Sequence, residues 1–297
     1  MKTAIIIVTY NRLELLKECI ECALKQKNEE TELVIVNNNC TDGTYEYLTS
    51  LSNERIHCLH ENDNIGGAGG FHDGLKYAVE NTKCDWFLLI DDDAMISSDY
   101  LHKIYSKIVP SVKAYAGTVL VDGEIDTSHR LLKGVGAIPR EKYNNQVVKC
   151  DFATFCGLLV SRELVMKIGY PREDFFIWHD DTEYCYRVLK ESEINLITDA
   201  CLNHKTVLFK KHKEKNVRDN WKCYYGVRNE LVIYKQENMK RKYYWKVFKL
   251  VAKAIQLRVN AFFDNTHRED FIYNSNLRMT AIRDMRNGNM GKSKMYP

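Results

Sequence analysis

Trp86-Phe87-Leu88-Leu89-Ile90-Asp91-Asp92-Asp93 decides how the rest of the chain is read. Its apolar part has strand length and no polar alternation, the pattern of a parallel strand buried on both faces. Carboxylates at the carboxyl end of such a strand leave the core at one fixed point, where open α/β sheets bind ligands. Three adjacent anions repel one another and attract a cation. If the extended conformation continues, Asp91 and Asp93 face the same way and offer oxygen ligands to one hard divalent ion.

Upstream, Ala4 to Tyr10 reads as a buried, β-branched strand, with Asn11 placed to cap a helix carrying Leu13, Leu16, Cys19, Ile20, Ala23 and Leu24 at helical spacing. Leu33 to Val36 is a second strand, ending in the polar turn Asn37 to Thr44. A helix follows with Tyr45, Leu48 and Leu51 on its inner face, then a short strand from Ile56 to His60. Strands alternating with helices through short connections imply a parallel sheet with right-handed crossovers. Asn62-Asp63-Asn64-Ile65-Gly66-Gly67-Ala68-Gly69-Gly70-Phe71 reads as a loop opening a helix that holds Leu75, Ala78 and Val79. Gly66, Gly67, Gly69 and Gly70 let a ligand approach the backbone, and the helix start favours an anion. The spacing fits neither a P-loop nor a dinucleotide fingerprint.

Downstream, Tyr100 to Ile108 reads as a helix, Ala114 to Val121 as a strand, and Asp122 to Lys149 as a hairpin or irregular excursion. Phe152 to Val160 is strand or turn-strand, and Ser161 caps a helix from Arg162 to Ile168 that Gly169-Tyr170-Pro171 stops. Phe175 to Trp178 then leads through His179 into a helix whose first turn holds Asp180, Asp181 and Glu183. Those acids either compensate the helix dipole or supply a general base beside Trp178. Ile194 to Thr198 is a strand, with Asn203-His204 after it. Lys210 to Lys215 reads as a solvated loop, and Tyr243 to Phe263 as a helix interleaving aromatic and basic residues.

At 297 residues, with 45% apolar and 28% charged side chains, the composition is that of a globular protein of one large or two modest domains. No apolar run approaches the ~20 residues of a membrane span, and the opening segment is too short for a signal peptide, so a cytoplasmic chain is expected. The ten cysteines are scattered in apolar patterns, as reduced core thiols; Cys19-Ile20-Glu21-Cys22 has no second pair to complete a zinc site. The net charge of +3 divides into −11 over residues 1–204 and +14 over residues 205–297. The basic part therefore meets something anionic: a phosphorylated ligand, a membrane surface, nucleic acid, or the acidic part of the chain itself. No nucleic-acid-binding module is present.

Together these motifs resemble the inverting family 2 glycosyltransferases of GT-A fold. The likeness rests on Thr9-Tyr10-Asn11-Arg12, the turn Asn38 to Thr44, Asp91-Asp92-Asp93 and Asp180-Asp181-x-Glu183. Within the family, the glycine-rich segment, Trp178 near the acidic pair, and His204 look most like bacterial galactofuranosyltransferases.

The resemblance implies an α/β, mostly parallel Rossmann-like sheet flanked by helices over residues 1–204, and a basic helical region over 205–297. It implies that Thr9, Tyr10, Arg12, Asn38, Asp42, Asp63, Asn64, the four glycines and Asp92 bind a UDP-sugar donor. Asp91, Asp93 and His204 would hold Mn²⁺ or Mg²⁺, Asp181 would be the catalytic base, and Trp178, His179, Asp180 and Glu183 would meet the acceptor. His179 departs from the family pattern, in which the tryptophan often directly precedes the acidic pair. The implied acceptor is a glycan on a polyprenyl-diphosphate carrier at the cytosolic membrane face. The C-terminal region is open to three roles: a contact with anionic lipid, a subdomain packed on the catalytic body, or a homo-oligomer interface. A rhamnosyl- or other hexosyltransferase is the alternative within the family; a non-catalytic glycan-binding scaffold lies outside it.

Overall fold

A computed structural model describes residues 1–27, 30–205 and 221–296; the lysine-rich run from Lys210 to Lys215 lies outside them. The chain forms two compact units. The first holds residues 1–172 and, of the rest, 181–205; the second holds residues 173–180 and 221–296.

In the first unit, β1 (Lys2–Thr9), α1 (Leu13–Leu24), β2 (Glu30–Asn37), α2 (Thr44–Ser50), β3 (Ile56–His60), α3 (Gly66–Asn81) and β4 (Trp86–Asp91) follow in chain order. β1 pairs in parallel with both β2 and β4, and β3 extends the parallel set beyond β2. Residues alternate between two cores. Ala4, Ile6 and Val8 face Phe71, Leu75 and Ala78 of α3, whereas Ile5 and Ile7 face Leu16, Cys19, Ile20 and Ala23 of α1.

Beyond β4 the sheet becomes mixed. β5 (Ala94–Ile96), α4 (Tyr100–Tyr105), β6 (Ala114–Val121) and β7 (Glu124–Ile125) precede a small three-stranded sheet built from β8 (Arg130–Leu132), β9 (Gly136–Ala137) and, after β10 (Val147–Cys150), β11 (Phe152–Ala153). β12 (Leu158–Ser161) enters between β4 and β6, antiparallel to both. Then come α5 (Arg162–Ile168), α6 (Asp180–Val188) and β13 (Ile194–His204). The strand expected to end at Thr198 runs through a bulge to His204, pairing with β6 on one side and, at its end, with β5.

Local signals explain several ends. Ser161 Oγ accepts the amide of Leu164 at 3.1 Å, and Gly169 leaves α5 at φ +78°. Such a cap stabilises by about 1 kcal/mol. Asn11 does not cap α1: it sits at φ +53°, and its side chain instead accepts the amide of Thr41. Asp42 Oδ2 takes the Leu13 amide at 2.9 Å, so the cap comes from the following polar turn. On α2, Leu48 is buried and Tyr45 is exposed, which leaves Tyr45 off the inner face.

The glycine-rich run differs most from its reading. It is helix rather than loop, because α3 begins at Gly66. A Cβ on Gly70 would lie 2.5 Å from Val8 Cγ1, and one on Gly74 2.7 Å from Ile6 Cγ2. Those glycines bring the helix backbone down onto the sheet. Gly67 faces open space.

The second unit contains α7 (Lys222–Gln236), α8 (Lys240–Phe263) and α9 (Arg268–Asn287). One apolar cluster joins Phe176, Tyr224, Tyr225, Leu277, Ala281 and Tyr296; another joins Leu231, Leu250, Ile282 and Met285. Among the described residues, no helix is long and apolar enough to cross a membrane.

Candidate active site

β4 ends at Asp91, and Asp92-Asp93 form a turn into β5 instead of continuing the strand. Asp92 and Asp93 therefore meet on Arg12, and Asp91 lies with Cys156 and His204. Asp92 turns back to the end of β1, accepting from Thr9 Oγ1 at 2.8 Å and from Arg12 Nη1 at 3.2 Å. Asp93 accepts from the same Arg12 nitrogen at 2.7 Å. His204 arrives because β13 and β5 pair with His204 opposite Ala94, and the Lys205 amide bonds Asp93 O at 2.8 Å. This pairing puts His204 Nε2 3.1 Å from Asp93 Oδ1. Asp91, His204 and also Cys156 offer ligand atoms that all lie within 4.8 Å of one another.

This cluster fits a divalent cation. His204 Nδ1 is buried without a hydrogen-bond partner. Burial, with the charges of Asp93 and Asp92, pushes Asp91 up to about 7. Burial likewise raises Asp92 to about 6 against the pull of Arg12. Burial would also raise Asp93, but His204 and Arg12 hold it below the usual carboxylate range. Crowded carboxylates that resist full ionisation are relieved by a positive ion among them. The oxygens of Asp91 and Asp93 suit Mn²⁺ or Mg²⁺, and His204 supplies a nitrogen; the Cys156 thiol is a softer donor.

The neighbouring residue that sequence reasoning missed is His129. Its ring stands perpendicular to that of His204, centroids 5.0 Å apart, and Nδ1 lies 2.8 Å from Thr154 Oγ1. Burial, with the charges of Arg130 and His204, lowers His129 to about 4, so it is neutral at physiological pH. Arg130, fully buried, donates to the carbonyls of Gly117, His129 and Cys156 and so fixes the segments that carry His129 and Cys156. His129 and Thr154 line one small cavity with Asp181 and Thr182. Asp181 Oδ1 accepts from the Thr182 amide at 2.5 Å and from its hydroxyl at 3.1 Å. The first unit thus carries a continuous row: Asp93, His204, His129 and the cavity that Asp181 lines.

Other expected donor residues form the scaffold around the strand ends. Asn38 accepts the Ile65 amide at 2.8 Å and donates to Gly66 O at 3.0 Å, tying the end of β2 to the start of α3. Asn64 Oδ1 accepts the Gly66 amide at 2.8 Å. Asp42, held low by its bonds to Thr44 and Leu13 against a burial effect that would raise it, braces the polar turn. Tyr10 and Asp63 are exposed, and a Cβ on Gly69 would lie 2.9 Å from Ile65, the residue before α3. Glu183 is buried against Nε and Nη2 of Arg187, whose Nη1 donates to Ile168 O and whose Nη2 also donates to Tyr170 O. Its carboxylate holds the loop after α5.

Trp178, His179 and Asp180 belong to the second unit. Phe176, Trp178 and His179 all have φ between 64° and 67°, a left-handed conformation costly for side chains of this size. Asn229 Nδ2 donates to the carbonyls of Phe175, Ile177 and Trp178, and Arg228 to those of Asp174, Phe175 and Gly291. Arg228 and Asn229 together hold these carbonyls in place.

A profile of "Glycosyl transferase family 2" matches residues 4–169, more than half of the chain. The chain belongs to this family. Its relatives include the low-salt glycan biosynthesis hexosyltransferase Agl10 of Haloferax volcanii, 25% identical over 67% of this chain and 66% of that protein. The dTDP-rhamnosyl transferase RfbF of Shigella flexneri is 26% identical over 67% of each. The galactofuranosyltransferase GlfT2 of Mycolicibacterium smegmatis is 24% identical over 59% of this chain but only 31% of that protein. Among solved structures, S. aureus TarS (residues 1–349) superposes with a TM-score of 0.56 at 14% identity, covering 97% of this chain and 83% of that one. The fold is GT-A: a mixed, mostly parallel sheet flanked by helices, followed by a helical C-terminal region. Membership of this glycosyl transferase family leaves the sugar to be argued, because these relatives are named for different sugars.

Proposed function

We propose that this glycosyltransferase moves galactofuranose from UDP-galactofuranose to a hydroxyl of a lipid-linked surface glycan, with inversion and with Mn²⁺ or Mg²⁺ bound. The observation that carries it is the row from Asp93 through His204 and His129 to the cavity lined by Asp181. It gives cation ligands and a carboxylate base one shared wall.

In this reading Asp181 accepts the proton of the acceptor hydroxyl while that oxygen bonds to the anomeric carbon. The bond from that carbon to the UDP oxygen breaks on the opposite side, so the anomeric configuration inverts and UDP leaves with the electron pair. Asp91, Asp93 and His204 would hold the ion, which when bound neutralises charge gathering on the diphosphate. Thr182 bonds the carboxylate of Asp181, and Arg12 bridges Asp92 and Asp93 through one nitrogen. Tyr10, Gly67 and Asp63 stay open to the nucleotide-sugar. Trp178 offers an exposed ring on which an acceptor sugar can stack. The C-terminal region would work at the cytosolic membrane face, where lipid-linked acceptors are presented.

The likeness to GlfT2 and the Asn64-to-Phe71 segment support the furanose donor; the likeness to RfbF favours dTDP-rhamnose as the second reading. UDP and dTDP release, measured with UDP-galactofuranose, UDP-galactopyranose, UDP-glucose and dTDP-rhamnose with and without Mn²⁺, separates them. Metal-dependent turnover of the furanose donor is the expected result, with Asp181→Asn slower by about 10²–10⁴-fold. Preferential turnover of dTDP-rhamnose would replace the donor and keep the base.

A further inference from the structure

α8 has two apolar faces, and the second unit uses one. At about 100° per residue, Leu250, Ala254, Leu257 and Ala261 share the side that is buried in the unit. On the opposite side Tyr244, Trp245, Phe248, Ile255, Phe262 and Phe263 stand between 57% and 81% exposed. They fall within a stripe about 100° wide that runs the length of the helix, on the order of 36 Å. Scattered exposed apolar residues need no explanation, but five aromatic side chains and Ile255 aligned on one face do.

The charges beside the stripe identify what covers it. Lys240–Phe263 contains seven lysines and arginines and no acidic residue. Lys242, Lys249 and Lys253 form a row along one margin, and Lys249 Nζ lies 5.1 Å from the Trp245 ring centre. Tyr244 and Trp245 combine an apolar body with a polar edge, as side chains at the membrane–water boundary do. A second copy packed face to face with α8 antiparallel would set cation rows against each other, because an isologous contact repeats the same patch on both sides. The helix is not apolar enough to span a bilayer. We infer that the outer face of α8 docks on an anionic lipid surface, lying in the plane of the headgroups with its aromatic stripe inserted and its lysine margin on the lipid phosphates.

This inference rests on α8 alone, and its test needs no sugar donor. The full chain is co-sedimented with vesicles of phosphatidylcholine, or of phosphatidylcholine with about 30% phosphatidylglycerol. Binding to the anionic vesicles alone, weakened by added salt, is expected. Trp245 fluorescence should shift to the blue on binding, a change absent from Trp245→Phe. Lys242→Glu/Lys249→Glu/Lys253→Glu and Phe262→Ser/Phe263→Ser should each lower the partition coefficient by about tenfold or more, with unchanged circular dichroism. Equal binding to both vesicles, or none, overturns the inference. So does an oligomer that Phe262→Ser/Phe263→Ser dissociates while vesicle binding is untouched, which would give the stripe to a second copy.

Discussion

The side-chain amide of Asn229 donates to the carbonyl oxygen of Trp178 at 2.8 Å, within the second unit. Two more carbonyls, those of Phe175 and Ile177, converge on the same nitrogen. Asn229 is completely buried. It is the clamp that keeps Phe176, Trp178 and His179 in a conformation they would otherwise leave. Asn229→Ala removes these bonds and strands buried carbonyls, a cost of about 1–3 kcal/mol. The expected phenotype is a lower Tm with the acceptor KM raised by roughly tenfold or more, while donor hydrolysis without acceptor changes little. Equal losses in donor hydrolysis and acceptor use would remove Trp178 from the acceptor role.

Gly226 tests the same tryptophan from the other side. A Cβ there would stand 2.8 Å from Trp178 Cε3 and 3.3 Å from Cζ3. Alanine also favours the interior of α7 by about 1 kcal/mol over glycine. The indole is half exposed and has room to move. Gly226→Ala is therefore expected to keep or raise Tm while weakening acceptor binding. A stability scan and an acceptor titration on the same preparation check this; an unaltered acceptor KM counts against the platform.

Glu230 makes the second unit sensitive to acid. Its carboxylate accepts from Tyr234 Oη at 2.5 Å and lies 2.6 Å from Lys246 Nζ on α8. Burial would raise its pKa, but hydrogen bonds from Lys246 and Tyr234 hold it below the ordinary 4.5. A depressed folded pKa means the contribution is complete above the unfolded value and is lost as pH falls through the lower folded one. Glu230→Gln should lower Tm at pH 7 by about 2–4 °C. The gap between wild type and variant should narrow as pH falls below the ordinary 4.5 and close once it passes the lower folded value. A gap that persists undiminished at pH 3 would show that packing, not charge, sets the loss.

The parts legible in the sequence were those written locally. The Trp86–Ile90 run becomes β4 and Arg162–Ile168 becomes α5, because one apolar stretch and one Ser–Gly bracket carry the signal. The position of β12 was not legible: nothing in Leu158–Ser161 says that it enters antiparallel between β4 and β6. The same holds for the Asp42 cap and for Gly70 against Val8, where the partner comes from another element. At the site, Asp91, Asp93 and His204 were read from motif order, and the pairing of β13 with β5 explains their meeting. His129 and Cys156 lie in segments without periodicity and are brought in by the tertiary bonds of Arg130.

Cys156 gives the cation site a selectivity that can be measured. Its sulfur lies with Asp91 and His204 inside a 4.8 Å cluster, and Asp93 Oδ1 lies 3.1 Å from His204 Nε2. Mn²⁺ and Mg²⁺ prefer the carboxylates; Zn²⁺ gains from sulfur and nitrogen and stands higher in the general order of affinity. Zn²⁺ is therefore expected to bind the metal-stripped protein more tightly than Mn²⁺ and to inhibit turnover in its presence. Cys156→Ser should weaken Zn²⁺ by about tenfold or more and leave Mn²⁺ nearly unchanged, while His204→Ala should weaken both. Calorimetric titration of each ion into the three proteins separates the cases. If Cys156→Ser left Zn²⁺ affinity intact, the thiol would be a packing residue beside the site, and Asp91, Asp93 and His204 would account for all metal binding.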